Sequence, residues 1–270
     1  MADLFQDKIA IVTGGGSGMG RAVCEALARR GAKVTLCDLH RERADETASA
    51  ISKAGGVASA VQLDTSDRLG VERLVNETAA QHGRLDYIFN NAGMNIFGDA
   101  RDYTPEQWKR VIDVNLMGVL YGTTAAYAIM QKQGFGHVVN TASMVGLIGC
   151  PTAAPYAVTK YGVVGLTHTL RMEAHSLGVK FSVVCPGYVE TRIWESEMIG
   201  VAREDIPKPL FKMISSERAA QCILKGVEKN KPFIVFPFHA RLLWWIYRLH
   251  PRCILPVGYQ VIADYRARKR

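Results

Sequence analysis

Residues 8–20 read KIAIVTGGGSGMG, a short apolar run that enters a cluster of five glycines. The run predicts a strand, and a helix-like stretch follows the glycines. The cluster does not fit GxGxxG, because that register would need glycine at Met19, but Gly14, Gly18 and Gly20 fit GxxxGxG. Glycines at such a junction let the backbone approach a pyrophosphate that rests on the helix N-terminal N–H groups. A flexible turn is the alternative, and the flanking strand and helix make it the weaker one.

The same strand–helix alternation continues along the chain and indicates the fold. Strands are predicted over 8–13, 33–38, 57–63, 85–90, 137–141, 179–185 and 232–236, and helices from the glycine cluster to Arg30 and over 41–53, 67–82, 105–132, 156–177 and 216–229. Such alternation favours an α/β fold with a doubly wound parallel sheet, Rossmann-type, covered on both faces. We predict one catalytic domain over 1–236, with a functional lid at about 188–215, and a C-terminal extension over 237–270.

Composition excludes several other classes of protein. The chain has 270 residues, 48% hydrophobic and 21% charged, which excludes disorder, collagen and coiled coil. Its six cysteines form no CxxC pair and its seven histidines form no HxxxH cluster, so we expect neither a disulfide scaffold nor a metal site. We expect no secretory signal, because no basic segment precedes a long apolar run, and a cytoplasmic location fits.

The end of the second predicted strand bears on the choice of cofactor. Asp38 lies 18 residues beyond Gly20, where a carboxylate accepts hydrogen bonds from an adenosine ribose. A carboxylate there repels a 2′-phosphate, and the neighbouring Ser17 and Leu39 carry no positive charge. The sequence therefore favours NAD over NADP. Arg41 and Arg43 lie close enough to keep NADP as an alternative.

Further motifs follow in a fixed order, and together they are far more specific than any one of them. They are TGxxxGxG at 13–20, NNAG at 90–93, Asn115, Ser143 after the run VVNTA, YxxxK at 156–160, and Pro186-Gly187. In this order the chain resembles the short-chain dehydrogenase/reductase family, in its compact single-domain branch. The resemblance covers about residues 5–236, with no departure at the motif positions. It implies an oxidoreductase that acts on CH–OH groups.

Tyr156 and Lys160 have the chemistry of an acid–base pair. They are four residues apart, so both project from one face of a helix. A phenol titrates near pH ~10, and a neighbouring ammonium lowers its pKa, as does a helix N-terminus. Tyr156 is therefore the candidate general acid/base. The resemblance implies that Lys160 also holds the nicotinamide ribose, that Ser143 orients the substrate oxygen, and that Asn115 anchors a water linking Lys160 to solvent.

The resemblance also implies a set of cofactor-binding positions. They are Gly14, Ser17, Gly18, Met19, Gly20, Asp38, Leu39, Asp64, Asn90, Ala92, Gly93, Tyr156, Lys160, Pro186, Gly187, Val189 and Thr191. Three of the predicted site residues have structural alternatives: Asn115 as a core polar group, Asn90 as a stabiliser of a strand end, and Asp64 as a helix cap.

The predicted lid is rich in methionine, aromatic and branched residues. They are Tyr188, Ile193, Trp194, Met198, Ile199, Ile206, Leu210, Phe211, Met213 and Ile214. Such residues on a loop suit an apolar, irregular ligand, which favours a lipophilic alcohol or ketone such as a steroid, terpenoid or aryl ketone. The alternative is that they only seal the loop onto the core.

The C-terminal extension differs from the rest of the chain in charge. From Pro237 onward there are seven basic residues against one acid, Asp264, so this segment carries +6 of the net +8. Residues 240–249 are mostly apolar and aromatic, with Arg241 and Arg248 among them. This pattern suits a subunit contact, which we favour, or a helix at a membrane interface with anionic lipid. Nucleic acid is a weak alternative for this segment.

The sequence as a whole predicts an NAD-dependent dehydrogenase that interconverts a secondary alcohol and a ketone. Its long helices, 105–132 and 156–177, are consistent with the homodimers or homotetramers that the resemblance implies. Two alternatives stay open: an NADP-dependent ketoreductase of the same fold, and a catalytically quiet cofactor-binding protein with a regulatory or scaffolding role.

Overall fold

The computed structural model describes residues 3–202 and 211–269, and within them it has nine strands and nine α-helices. The strands are β1 (Ile9–Thr13), β2 (Lys33–Asp38), β3 (Val57–Gln62), β4 (Tyr87–Asn90), β5 (Ile96–Phe97), β6 (Gly136–Thr141), β7 (Val179–Pro186), β8 (Glu197–Met198) and β9 (Phe233–Phe236). The helices are α1 (Gly18–Arg29), α2 (Arg41–Lys53), α3 (Arg68–His82), α4 (Pro105–Ile112), α5 (Gly118–Gln133), α6 (Ala154–Glu173), α7 (Ser216–Glu228), α8 (Phe238–Leu249) and α9 (Leu255–Arg268).

Seven strands form one parallel sheet in the order β3-β2-β1-β4-β6-β7-β9. The strand order reverses between β1 and β4, whose registered pairs include Val12 with Phe89. In sheets of this kind, ligands bind beyond the carboxyl ends of the strands at the point of reversal. The predicted doubly wound α/β fold is confirmed, and this edge of β1 and β4 carries the glycine cluster and the NNAG segment.

The side chains of β1 alternate between two apolar layers. Ala10 and Val12 pack in one buried cluster with α1 and α7, whereas Ile9 and Ile11 pack in another with α3 and α5. All five residues of β1 are buried, because helices cover both faces of the sheet. This burial fixes the start of the glycine cluster on a rigid element.

The predicted helix over 105–132 is interrupted by one π-helical turn. Asp113–Met117 adopt that conformation between α4 and α5, and this turn contains Asn115. Single π-helical turns inside α-helices are common at functional sites. Thr104 begins the segment with a capping box, because its hydroxyl accepts from the Gln107 N–H and the Gln107 side chain accepts from the Thr104 N–H.

The predicted lid is held at both of its ends. Val189 near its start and Ile214 near its end form a parallel bridge with each other, and the short strand β8, inside the lid, pairs with β5. Of the predicted lid residues, Ile206 and Leu210 lie outside the described residues.

The C-terminal extension forms two helices joined by a 3₁₀ turn. One face of α8 packs on the domain, with Leu243, Trp244 and Tyr247 against a buried cluster around Val163 and Val183. The predicted division at residue 236 stays a prediction. No helix among residues 3–202 and 211–269 is long and apolar enough to cross a bilayer.

Helix α9 was not predicted from the sequence, and it ties the chain end to the lid. The Tyr265 hydroxyl donates to the Ile199 carbonyl at 2.6 Å. The Arg266 guanidinium pairs with Asp99 at 2.7 Å, and Lys269 pairs with Asp102 at 2.6 Å.

Candidate active site

The glycine cluster, which we call the cradle, packs so closely on neighbouring backbone that two of its positions admit no larger residue. Gly14 has φ +64°, and a Cβ on it would lie 2.9 Å from the Ala92 Cα. A Cβ on Gly20 would lie 2.0 Å from the Gly14 carbonyl oxygen. Ser17 precedes α1 without a side-chain cap hydrogen bond, and the first turn of α1 contains no acid. The N–H groups of that turn are therefore free to meet an anion.

Thr13 and Asn91 hold the glycine cluster against the NNAG segment. The Thr13 hydroxyl accepts from the Asn91 and Ala92 N–H groups, each at 3.0 Å. The Asn91 amide donates to the Thr13 carbonyl at 3.1 Å. We did not predict these two residues as part of the site, although both lie within the motifs, because their role depends on contact between segments 78 residues apart.

Asp38 lies at the end of β2 beside the glycine cluster. Its Oδ2 atom accepts from the Gly16 N–H and its Oδ1 atom from the His40 N–H, both at 3.0 Å. A carboxylate has about four acceptor positions, so these two bonds leave others for a ligand. Arg41 pairs with Asp45 at 2.7 Å, whereas the Cβ of Arg43 lies 2.8 Å from where a Cβ on Gly16 would be. Of the two arginines, Arg43 is therefore the one beside the cradle.

Ser143, Tyr156 and Lys160 come together beyond the carboxyl end of β6. Ser143 lies two residues beyond that strand, its hydroxyl accepts from the Val145 N–H at 3.2 Å, and it lies close enough to Tyr156 to act on the pKa of the phenol. Tyr156 lies in the first turn of α6 and Lys160 one turn later. The Lys160 ammonium lies 5.4 Å from the Tyr156 ring centroid and donates to the Thr141 carbonyl at 2.8 Å. All three side chains are buried.

Burial moves the pKa values of the acid–base pair in opposite directions. It raises the pKa of Tyr156 to about 12, and the hydrogen bond with Ser143 only partly opposes this. Burial lowers the pKa of Lys160 to about 8. The direction is therefore opposite to the lowered tyrosine pKa expected from the sequence, because removal of water from the phenolate is the largest effect on Tyr156.

Asn115 is fully buried, and its side-chain amide hydrogen-bonds the backbone of Met94. Its Oδ1 atom accepts from the Met94 N–H and its Nδ2 group donates to the Met94 carbonyl, both at 2.8 Å. A Cβ on Gly93 would lie 3.3 Å from this Oδ1 atom and 3.6 Å from the Lys160 nitrogen. Asn115 thus fixes the NNAG segment beside Lys160, and the water relay stays a prediction.

The Asn90 side chain points into the core between β4, β6, α5 and α6. Its Nδ2 group lies 2.8 Å from Asn140 Oδ1 and 3.2 Å from the Thr123 hydroxyl, and the Asn140 amide donates to Thr167 at 3.0 Å. This is the structural alternative for the side chain, and a cofactor contact at Asn90 stays a prediction.

The other predicted cofactor positions differ in how near they lie to the cradle. Thr191 is near it, because a Cβ on Gly18 would lie 3.2 Å from the Thr191 methyl. Asp64 accepts from the Ser66 N–H and hydroxyl and does not cap α3, whose N-cap is Asp67.

Three more of these positions lie at strand ends or on the surface, and two pack inward. Pro186 ends β7, Gly187 donates to the Phe236 carbonyl at 2.8 Å, Val189 is buried, Leu39 is exposed, and Met19 packs on the core cluster that contains α1.

An apolar cluster surrounds Tyr156 on the side of the lid. Its buried members are Ile96, Tyr103, Val111, Ala153 and Tyr156, and Met94, Phe97, Trp108, Val145, Ile193 and Ile199 pack on them half-buried. The lid also contributes Trp194, whose ring stacks on Phe97 with centroids 6.3 Å apart. Ile214 instead packs on the core cluster that contains α1 and α7, so it serves to seal the loop.

These features fit a dinucleotide. The close approach of the backbone at the glycines and the N–H groups of α1 suit a pyrophosphate, and the Asp38 carboxylate suits a ribose. Gly93 lies further along the same edge of the sheet, beside Lys160 of the acid–base pair.

Comparison with known proteins gives consistent matches. A family model described as short chain dehydrogenase matches residues 8–200. Levodione reductase of Leifsonia aquatica is 36% identical over 197 residues, which cover 72% of this chain and 74% of that protein. Cyclohexanol dehydrogenase of Acinetobacter sp. strain SE19 is 32% identical over 239 residues, which cover 87% of this chain and 93% of that protein.

A solved structure is similar along the whole chain. The crystal structure of a short chain dehydrogenase/reductase from Burkholderia phymatum in complex with NAD has a TM-score of 0.78 at 26% identity, and the match covers 100% of this chain and 98% of that chain.

Proposed function

Because the chain belongs to the short-chain dehydrogenase family, we propose that it interconverts a lipophilic secondary alcohol and its ketone, with NAD as the cofactor. It is an oxidoreductase of that family. The observation that carries the proposal is the buried set of Ser143, Tyr156 and Lys160 beside Gly93, at the edge of the sheet that holds the glycine cradle.

The three side chains divide the handling of the proton. A nicotinamide cofactor, when bound, supplies or accepts the hydride. Tyr156 takes the hydroxyl proton of the alcohol during oxidation and returns it during reduction. Lys160 favours the phenolate as it forms, since its ammonium lies 5.4 Å from the ring centroid. Ser143 lies close enough to Tyr156 to favour the phenolate, and we assign its hydroxyl the role of orienting the substrate oxygen next to the proton donor.

The charges around the cradle support NAD as the cofactor. The Asp38 carboxylate lies beside the glycine cradle, and with the adenosine ribose held there its negative charge would disfavour a 2′-phosphate. Arg43 is the one feature that favours NADP, because it begins beside Gly16. NADP is therefore the second candidate, and a direct comparison of the two cofactors separates them.

The apolar cluster around Tyr156 supports a lipophilic substrate. Met94, Phe97, Val145 and Ile193 are half-buried there, and a thioether and an aromatic ring adapt to irregular apolar shapes. Levodione reductase and cyclohexanol dehydrogenase are named for cyclic substrates, which are compatible with such a pocket.

We also propose a homodimer or homotetramer, since three apolar side chains of α6, namely Val158, Tyr161 and Met172, are exposed.

The test is nicotinamide absorbance with a panel of lipophilic and polar secondary alcohols and ketones, run with NAD and NADP in parallel. We expect turnover of lipophilic members with NAD, and a loss of about 10²–10⁴-fold in kcat for Tyr156→Phe with unchanged cofactor binding. Turnover of small polar polyols alone would contradict the substrate class. No change in nicotinamide absorbance with either cofactor, despite measured cofactor binding, would favour the catalytically quiet alternative.

A further inference from the structure

Helix α8 is apolar on two opposite faces, and only one of them is covered by the protein. Leu243, Trp244 and Tyr247 face the core. The other face carries an exposed stripe, which consists of Phe238, Leu242, Trp245, Ile246 and Leu249. Their spacing of i, i+4, i+7, i+8 and i+11 places all five within about one third of the helix circumference.

The exposed stripe is unusual for this surface in the size of its side chains. Phe238 is 74%, Trp245 59% and Leu249 81% exposed. Isolated exposed apolar residues are normal in proteins, but a contiguous group of large ones marks an interaction surface. Further exposed apolar residues follow after the 3₁₀ turn, at Leu255, Val257 and Tyr259.

The charges beside the stripe have a single sign. Arg241 and Arg248 lie along one flank of it, and the sequence contains no Asp or Glu from residue 229 to residue 263. The Arg248 guanidinium lies 5.3 Å from the Trp244 ring centroid. Neither arginine forms an ion pair with a described residue, so their charge is available to a partner.

A basic groove of about 610 Å³ lies next to the helix. It runs between α7, the edge strand β9 and α8, and its lining includes Arg218, Lys225, Lys231, Arg241 and Trp245 but no acidic residue. None of these four cations pairs with an acid among the parts of the chain that are described. The groove adds positive charge to the flank of the stripe.

We propose that this face of α8 docks on a lipid bilayer that contains anionic headgroups. Large apolar and tryptophan side chains beside arginines are typical of helices that lie in the membrane interface, with the apolar stripe entering the acyl boundary and the cations meeting phosphate. The stripe fits the boundary, and the unpaired cations complement the headgroup charge.

The same charges disfavour a second copy of the chain as the occupant. A two-fold contact places the same patch against itself, so Arg241 and Arg248 would face their own equivalents with no acid between them. Like charges brought together at an interface oppose association. The proposal does not depend on the reaction, because lipid binding can be measured without substrate or cofactor.

The test is co-sedimentation of the full chain with vesicles of phosphatidylcholine, with and without phosphatidylserine. We expect binding to the anionic vesicles that weakens as salt rises, because mobile ions screen the arginines. Trp245→Glu with Leu249→Glu should lower the partition coefficient about tenfold or more. Leu69→Glu, at an exposed leucine of α3, is the matched control and should bind as the wild type does.

The charge contribution is tested separately. Arg241→Gln with Arg248→Gln should weaken binding to anionic vesicles, whereas Lys53→Gln with Arg73→Gln removes the same charge from exposed positions elsewhere and should not. Thermal unfolding of each variant checks that the fold is retained.

Three outcomes would overturn the proposal. One is that the wild type binds neither vesicle, and another is that the α8 variants bind as the wild type does. The third is that the wild type does not bind vesicles and Trp245→Glu with Leu249→Glu lowers the mass of the protein in solution, which would make the stripe a subunit contact.

Discussion

At the scale of single residues, the site depends on two buried groups whose charged forms are disfavoured. Tyr156 and Lys160 lie in the same water-poor environment, so the tyrosine holds its proton more tightly and the lysine less tightly than in water. The lowered pKa of Lys160 should also change how the free energy of unfolding depends on pH, which can be measured without an activity assay.

Lys160 should make the stability of the cofactor-free protein rise with pH above about 8. In the folded protein it releases its proton near that pH, while in the unfolded chain it keeps the proton to about 10.4. The unfolded state therefore binds more protons in this window, and the free energy of unfolding increases by up to about 1.4 kcal/mol per pH unit. Tyr156 opposes this only above about pH 10, where an unfolded tyrosine ionises first. The buried thiols of Cys24, Cys37 and Cys185 have raised pKa values, so they lower the stability in the same pH range. The slope from Lys160 is therefore expected in the difference between the wild type and Lys160→Met, measured by denaturant unfolding from pH 8 to 10.

Gly20→Ala should destabilise the cradle, since the new Cβ would lie 2.0 Å from a backbone oxygen that cannot move alone. We expect cofactor binding to be lost, with a destabilisation of about 1–3 kcal/mol. Gly258→Ala is the matched control, because its Cβ would meet nothing within 4 Å, and inside α9 it should stabilise by about 0.5–1 kcal/mol. Fluorescence titration with NADH and thermal unfolding measure both effects. Equal effects of the two changes would contradict the cradle.

Asp38→Ser should shift cofactor preference toward NADP. Removal of the carboxylate removes its repulsion of a 2′-phosphate and leaves Arg43 nearby, so the ratio of kcat/KM for NAD to that for NADP should fall about tenfold or more. Glu42→Gln removes an exposed acid of α2 and should leave the ratio unchanged. A ratio that Asp38→Ser does not move would place the ribose elsewhere.

At the scale of elements, the long periodic segments were predictable and the short ones were not. The seven strands of the large sheet carry their own apolar runs, which is why their positions agree with the sequence to within one or two residues. β5 and β8 have two residues each, too few for any periodicity to show. The π-helical turn at Asp113–Met117 lies in a segment whose pattern fits an uninterrupted helix.

Helix α9 was missed because tertiary contacts, not its own pattern, position it. Its one buried residue is Tyr265, and the remaining anchors are ion pairs with Asp99 and Asp102. The candidate site was predictable wherever a motif supplied the residue, as at Ser143 and Lys160. Contacts such as Thr13 with Asn91 join distant segments, so only the fold reveals them.

Tyr265→Phe should loosen the lid. The change removes the hydrogen bond to the Ile199 carbonyl, which should cost about 0.5–1.5 kcal/mol of stability. Hydrogen exchange around residues 196–200 should become faster, and KM should change more than kcat because the lid borders the substrate cluster. Tyr259→Phe, at an exposed tyrosine of the same helix, provides the comparison. Identical exchange in the two variants would show that α9 does not hold the lid.

At the scale of the whole molecule, the chain has two sets of exposed apolar side chains: the stripe of α8 and those of α6. Val158 and Met172 lie about four turns apart on one side of α6, and Tyr156 and Lys160 lie on its buried side. A contact through α6 would therefore involve the helix that carries the acid–base pair.

Val158→Glu with Met172→Glu should lower the mass measured by light scattering at least about twofold, because two buried acids would oppose the contact. Leu69→Glu should leave the mass unchanged. A wild-type protein that is already monomeric would refute the proposed assembly.

The way α8 completes the core has a consequence during synthesis of the chain on the ribosome. The cluster around Val163 and Val183 is covered by Leu243, Trp244 and Tyr247, which are synthesised after every strand of the large sheet. Until they emerge from the ribosome, the nascent chain exposes that apolar surface, and chaperones bind such surfaces. A stop codon before Leu243 would therefore yield a chain that has every proposed catalytic residue and yet is a target for quality control.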